Sequence, residues 1–144
     1  MTSSLARIVL DTNVFVSAVI SPSGTTGLLV RAAFDGRYRL VVCPALLTEL
    51  DRVLHRPSFR QFLESSEVTE FIDSVEAIAD VEPDPREVVI VSRDPDDDYL
   101  LALAEANNAD LVSGDADLHA VAHPTVTVVS PRELLDRLAN GRQR

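Results

Sequence analysis

The chain has 144 residues, 46% apolar and 25% charged, with a formal net charge of −10 and one cysteine. That size fits a single domain spanning 1–144 with a real core, and a frayed tail is expected over 139–144. Lone Cys43 excludes an internal disulfide. All 13 basic residues are arginine, which removes lysine Schiff bases, phosphate-binding lysines and lysine general bases. The acidic balance opposes nucleic-acid binding through overall charge, so such a partner would have to be met by local arginines or metal ions. No apolar run approaches the roughly eighteen residues of a membrane span, and the N-terminus lacks a signal peptide's apolar stretch. A cytoplasmic protein with no membrane partner is expected.

In chain order, "RIVLD" (7–11) reads as a short buried strand ending at Asp11, and "NVFVSAVI" as either its continuation or a helix. "SPSGTTG" (21–27) is loop by composition, and "LLVRAAFDG" a helix stopped by Gly36. "YRLVVC" is a second buried strand, and Pro44 opens the helix "PALLTELDRVLHR", which Pro57 ends. "SFRQFLESS" and "EVTEFIDSVEAIAD" carry helical spacing. The proline-rich connection that follows has room for a strand at Val88–Val91. Asp94–Asp98 lead into the helix "YLLALAEANN", then come the strand "DLVSGD", a short "ADLHAVA" segment, the strand "TVTVV" and the helix "PRELLDRLAN". Strands alternating with helices predict an α/β fold in three layers, with a mainly parallel central sheet between helices.

In such a sheet, ligands bind beyond the carboxyl ends of the strands. Asp11 leaves one such end, and Asp115 and Asp117 leave another. Glu49 lies one turn into the helix after the second strand. Asp96, Asp97 and Asp98 begin a helix whose N-terminus faces the same edge if the crossover is right-handed. Carboxylates gathered in this way repel one another unless cations neutralise them. An oxygen-only donor set points to Mg²⁺ or Mn²⁺ rather than zinc. Such ions serve to activate a water and to stabilise charge on a phosphodiester. Taken singly, each acid has an ordinary reading: Asp11 as a helix cap, "DPDDD" as a solvated helix start, Glu49 as a surface glutamate.

"LDTNVFVSA", "LTEL" and "RDPDDDYLLALAEANNADLVSGDADL", in this order along nearly the whole chain, resemble the PIN-domain ribonucleases. The likeness is greatest to the bacterial toxin branch related to VapC. The resemblance implies a Mg²⁺- or Mn²⁺-dependent endoribonuclease acting on RNA, restrained by a cognate antitoxin. By position in the motifs, Asp11, Glu49 and Asp115 match the first, second and fourth acids of the family. The third lies within "DPDDD", where helix length favours Asp97 with Asp98 as the alternative. Asp11 and Asp97 are then the expected direct metal ligands, with Glu49 and Asp115 binding the metal or orienting the nucleophile. Asn13 and Ser113 match donors that hold these carboxylates, and Asp117 is an additional acid.

Arg52 and Arg56 share a helix face with Glu49 and either guide an RNA backbone or form a solvated face paired to Asp51 and Glu64. Arg60 continues the spacing beyond Pro57. His119 and His123 have the i, i+4 spacing of a metal pair, but Pro124 truncates any helix there. The apolar face of residues 62–79 suits the core, a homodimer or higher oligomer, or an antitoxin surface. Two rivals remain. A phosphotransfer domain on a similar sheet is opposed by the lack of lysine and by Asn13 where a second aspartate would be needed. The other is a catalytically weak PIN-like interaction module.

Overall fold

The computed structural model describes residues 5–86, 95–120 and 125–140, with the backbone alone for 95–97 and 117. The elements are β1 (Arg7–Leu10), α1 (Thr12–Ile20), α2 (Thr25–Phe34), β2 (Arg39–Val42), α3 (Pro44–Leu54), α4 (Ser65–Ile78) and β3 (Asp80–Val81). They continue with α5 (Pro95–Ala106), β4 (Asp110–Val112), α6 (Ala116–His119), β5 (Val128–Val129) and α7 (Pro131–Asn140). The five strands among the described residues form one parallel sheet in the order β3-β2-β1-β4-β5. Ile8, Val9, Leu10, Val41, Val42, Leu111 and Val112 are each fully buried, so both faces of the central strands are covered by helices. Strands that read as continuous apolar runs are the sequence signature of this layering.

The open question after Asp11 is settled as a helix. The Asp11 carboxylate caps α1 by accepting the Asn13 amide at 3.2 Å, so the chain turns out of the sheet there. The loop at 21–27 is shorter than its composition suggested, because α2 begins at Thr25. Gly27, inside α2, permits this tight entry: a Cβ there would lie 2.1 Å from the Pro22 carbonyl oxygen. The helical spacing of "SFRQFLESS" yields only a 3₁₀ turn at Pro57–Phe59, after which a Glu64/Glu67 capping box starts α4. Strand β3 was not legible, since two residues cannot show alternation. The expected strand at Val88–Val91 lies outside the described residues. Helix α7 includes residues 139 and 140.

The connections place the site. The chain runs from β1 to β2 and β3 on one side of the sheet, then crosses to β4 on the other. The crevice between the carboxyl ends of β1 and β4 is therefore the point where strand order reverses, the usual ligand position in such sheets. Helix α5 packs on β1 and β4, whereas α1, α2, α3 and α4 pack together and α2 also meets α7. An apolar groove of about 510 Å³ opens between α1, α2 and α4, lined by Val19, Val30, Phe34, Phe62 and Phe71. Among the described residues no single helix is long and apolar enough to cross a membrane.

At the far edge, Asp80 of β3 pairs with Arg39 of β2 and, at 3.5 Å, with Arg7 of β1. Hydrogen bonding to Arg39 holds the Asp80 carboxyl below its ordinary value of 3.8, with the Arg39 and Arg7 charges adding to this and partial burial opposing it. Its stabilising effect is thus complete above that value and is lost as pH falls through the lowered one. Asp80→Asn should lower the melting temperature at pH 7 by no more than a few degrees and flatten its decline below pH about 4. Thermal melts of both proteins across pH 2–7 check this.

Candidate functional site

The register of the two central strands pairs Leu10 with Val112, so Asp11 and Ser113 leave the sheet side by side. Both are buried, Asp11 at 4% exposure and Ser113 at 0%. The Ser113 hydroxyl donates to Asp11 Oδ2 at 2.8 Å and accepts the Asp115 amide at 3.0 Å. Asp11 Oδ1 takes the Asn13 main-chain amide, so Asn13 contributes backbone to this carboxylate while its side chain is exposed. The strand end is fixed from behind: the His119 ring Nε2 lies 2.7 Å from the Ser113 carbonyl oxygen, and the His119 amide donates to the Asp115 carbonyl. The described member of the histidine pair thus ties down backbone, and His123 lies outside the described residues.

Glu49 reaches the same crevice from α3. Its Oε1 accepts the Tyr99 hydroxyl at 2.7 Å and the Thr12 hydroxyl at 3.2 Å. Thr12 follows Asp11 and Tyr99 follows Asp98, so these two bonds join three of the acid-bearing segments. Neither hydroxyl was singled out in the sequence. A signal existed for Tyr99, which is the lone polar position in the otherwise aliphatic run "YLLALA".

Burial raises the Asp11 pKa above 3.8. The Ser113 and Asn13 hydrogen bonds oppose this, and the negative charges of Asp115 and Glu49 add to it. The structure therefore brings Asp115 and Glu49 each within electrostatic reach of Asp11. Asp98, in the first turn of α5, is 1% exposed. It shares a helix face with buried Leu101, three residues on, and α5 packs against β1 and β4. The side chains of Asp97 and Asp117 lie outside the described residues.

Of the arginines, Arg60 is spent on structure, donating to the Leu54 carbonyl at 2.6 Å and the Leu63 carbonyl at 3.0 Å. Arg52 and Arg56 are exposed on and just beyond α3. Asp51 and Glu64, the partners of their ordinary reading, are engaged elsewhere: Asp51 lies 3.4 Å from His55, and Glu64 caps α4.

The donor set suits a hard divalent cation, because every group in it is an oxygen and its carboxylates repel. Among the described residues no three His, Cys, Asp or Glu side chains close on one point. Mg²⁺ is nonetheless held through only one or two carboxylates while it keeps several waters. Without a cation, ionised Asp11 is a cost to the fold above its raised pKa, and the cost disappears at acid pH as the group protonates. In chelator at pH 7, Asp11→Asn should raise the melting temperature by a few degrees, a gain that vanishes on acidification. Calorimetry of the two proteins measures it.

A family model described as "PIN domain" matches residues 7–117. The chain is 28% identical over 113 residues to the uncharacterized protein MJ1680 of Methanocaldococcus jannaschii, covering 78% of this chain and 72% of that one. Its fold resembles PAE2754 of Pyrobaculum aerophilum (TM-score 0.67, 17% identity, 94% of this chain and 91% of that one). It also resembles a chain of VapBC2 of Rickettsia felis, solved bound to a promoter DNA fragment (TM-score 0.60, 15% identity, 86% and 98%). A chain of the DNA-bound VapBC of Salmonella typhimurium is similar (TM-score 0.62, 13% identity, 88% and 99%). With the model matched across most of its length and the fold shared with these structures, this chain belongs to the PIN-domain family.

Proposed function

We propose that the protein is a divalent-metal-dependent endoribonuclease and the toxin component of a toxin–antitoxin pair. The observation that carries the nuclease reading is Asp11, a carboxylate buried against the charges of Asp115 and Glu49 at the switch point of a parallel sheet. A fold that keeps such a charge gains little from it unless a cation is meant to sit there. The toxin reading is supported by the shared fold with the VapBC chains. The apolar groove beside α1, α2 and α4 offers a surface for a cognate antitoxin.

Asp11, Asp115 and the α5 acid would hold the cation, with Glu49 completing the set or orienting the attacking water. For the α5 acid we favour Asp98 over Asp97, because Asp98 is buried in the first turn of α5, the helix that packs on β1 and β4. Bound Mg²⁺ or Mn²⁺ supplies charge neutralisation on the phosphodiester and lowers the pKa of water. The chain's own residues do the positioning. Ser113 and the Asn13 amide fix both oxygens of Asp11, while Tyr99 and Thr12 fix Oε1 of Glu49. A second reading, a weakly catalytic interaction module, draws on the absence of a closed three-ligand cluster among the described residues.

Purified protein incubated with mixed RNA should cleave it with Mg²⁺ or Mn²⁺ and not with chelator. Asp11→Asn should lose about a hundredfold or more of the rate. Asp98→Asn should lose far more than Asp97→Asn, and the reverse order would return the third place to Asp97. Cleavage that persists in chelator contradicts the metal-dependent reading. Absence of cleavage with either metal favours the interaction module.

A further inference from the structure

A second cavity, of about 520 Å³, opens beside the acidic crevice and shares Glu49 with it. Pro44, Thr48, Glu49 and Arg52 line it from α3, Asp84 from the segment after β3, and Tyr99 from α5. Resting on the ribonuclease reading above, we infer that this cavity is a subsite for one nucleotide of single-stranded RNA beside the scissile phosphate, with Arg52 taking that nucleotide's phosphate.

Four observations carry the assignment. A strand with its reacting phosphate at Asp11 and Glu49 places a neighbouring nucleotide one residue away, and a cavity of this size holds one nucleotide. Arg52 lies one helical turn beyond Glu49, and among the described residues it makes no ion pair or hydrogen bond. In a chain of net charge −10, a guanidinium beside the site is a local cation of the kind a phosphate needs. Tyr99 is held by its hydrogen bond to Glu49, so an aromatic side chain is fixed at the cavity wall, where an unstacked base can meet it. Asp84 is fixed as well, its Oδ1 accepting the Ala45 amide at 2.8 Å. With Glu49 it repels a second phosphate from the cavity but suits the amino and hydroxyl donors of a base and a ribose. One phosphate at Arg52 and an uncharged base and sugar elsewhere is the occupancy this charge pattern permits. A duplex cannot enter, because its bases are paired and stacked.

The test uses the full chain with a fluorescein-labelled single-stranded RNA ten-mer, in chelator and at low ionic strength so that binding is read without cleavage. Thr48→Trp fills the cavity from an exposed position, and Arg52→Ala removes its cation. Each should weaken binding by about fivefold or more, as loss of a base stack or phosphate contact does. Arg31→Ala, which removes an exposed arginine from the other groove, should stay within about twofold. The wild type should bind the matching RNA duplex about tenfold more weakly than the single strand. Wild-type affinity in Thr48→Trp, or an equal loss in Arg31→Ala, overturns the subsite. Metal-dependent cleavage by the wild type, assayed separately, then shows whether the ribonuclease reading survives it.

Discussion

The pairing of Leu10 with Val112 is the constraint on which the rest of the molecule depends. It aligns the ends of two buried parallel strands, so the residues that follow them emerge together into one crevice. Apolar strands covered on both faces fix that register strongly, because a slip would carry side chains from one helical layer to the other. Asp11 and Asp115 are therefore delivered to one place by the core itself. Glu49 joins them because β2 is the parallel neighbour of β1 and α3 starts where β2 ends.

Once together, Asp11 and Glu49 are each held by hydroxyl groups. Ser113 bonds Asp11, while Thr12 and Tyr99 bond Glu49. Among the described residues several arginines are engaged away from these acids, Arg39 and Arg7 at the β3 edge, Arg60 at the end of α3 and Arg137 on Asp110 among them. Hydroxyl donors orient a carboxylate without neutralising it, which leaves its charge available. Folding alone would favour a neutral group at Asp11, because burial penalises its charge.

Much of this was readable in the sequence. The buried strands announced themselves as apolar runs, and the alternation of elements led to a parallel sheet. Asp11, Glu49 and Asp115 followed from the rule that ligands gather at carboxyl ends. Asp11 has two placements at once, since the one carboxylate caps α1 and lies within reach of the Asp115 and Glu49 charges. What was hidden depended on distances no spacing encodes. Tyr99 and Thr12 meet on Glu49 only after α3 and α5 have packed, and β3 has two residues, too few to carry a pattern. The choice between Asp97 and Asp98 turns on a hundred-degree step around a helix, and helix boundaries read from sequence are less certain than that. In the same way, the proline near the start of "SFRQFLESS" and the capping signal at its end left too few residues for a helix.

The central claim is that the acids at the ends of β1 and β4 are gathered to hold a divalent cation. The most direct measurement is a titration of the purified chain with Mn²⁺, following the electron paramagnetic resonance signal of the free ion, in the wild type and in Asp11→Asn. The account predicts saturable loss of free Mn²⁺ in the wild type and affinity weakened by about tenfold or more in the variant. Identical titrations of the two proteins would contradict it.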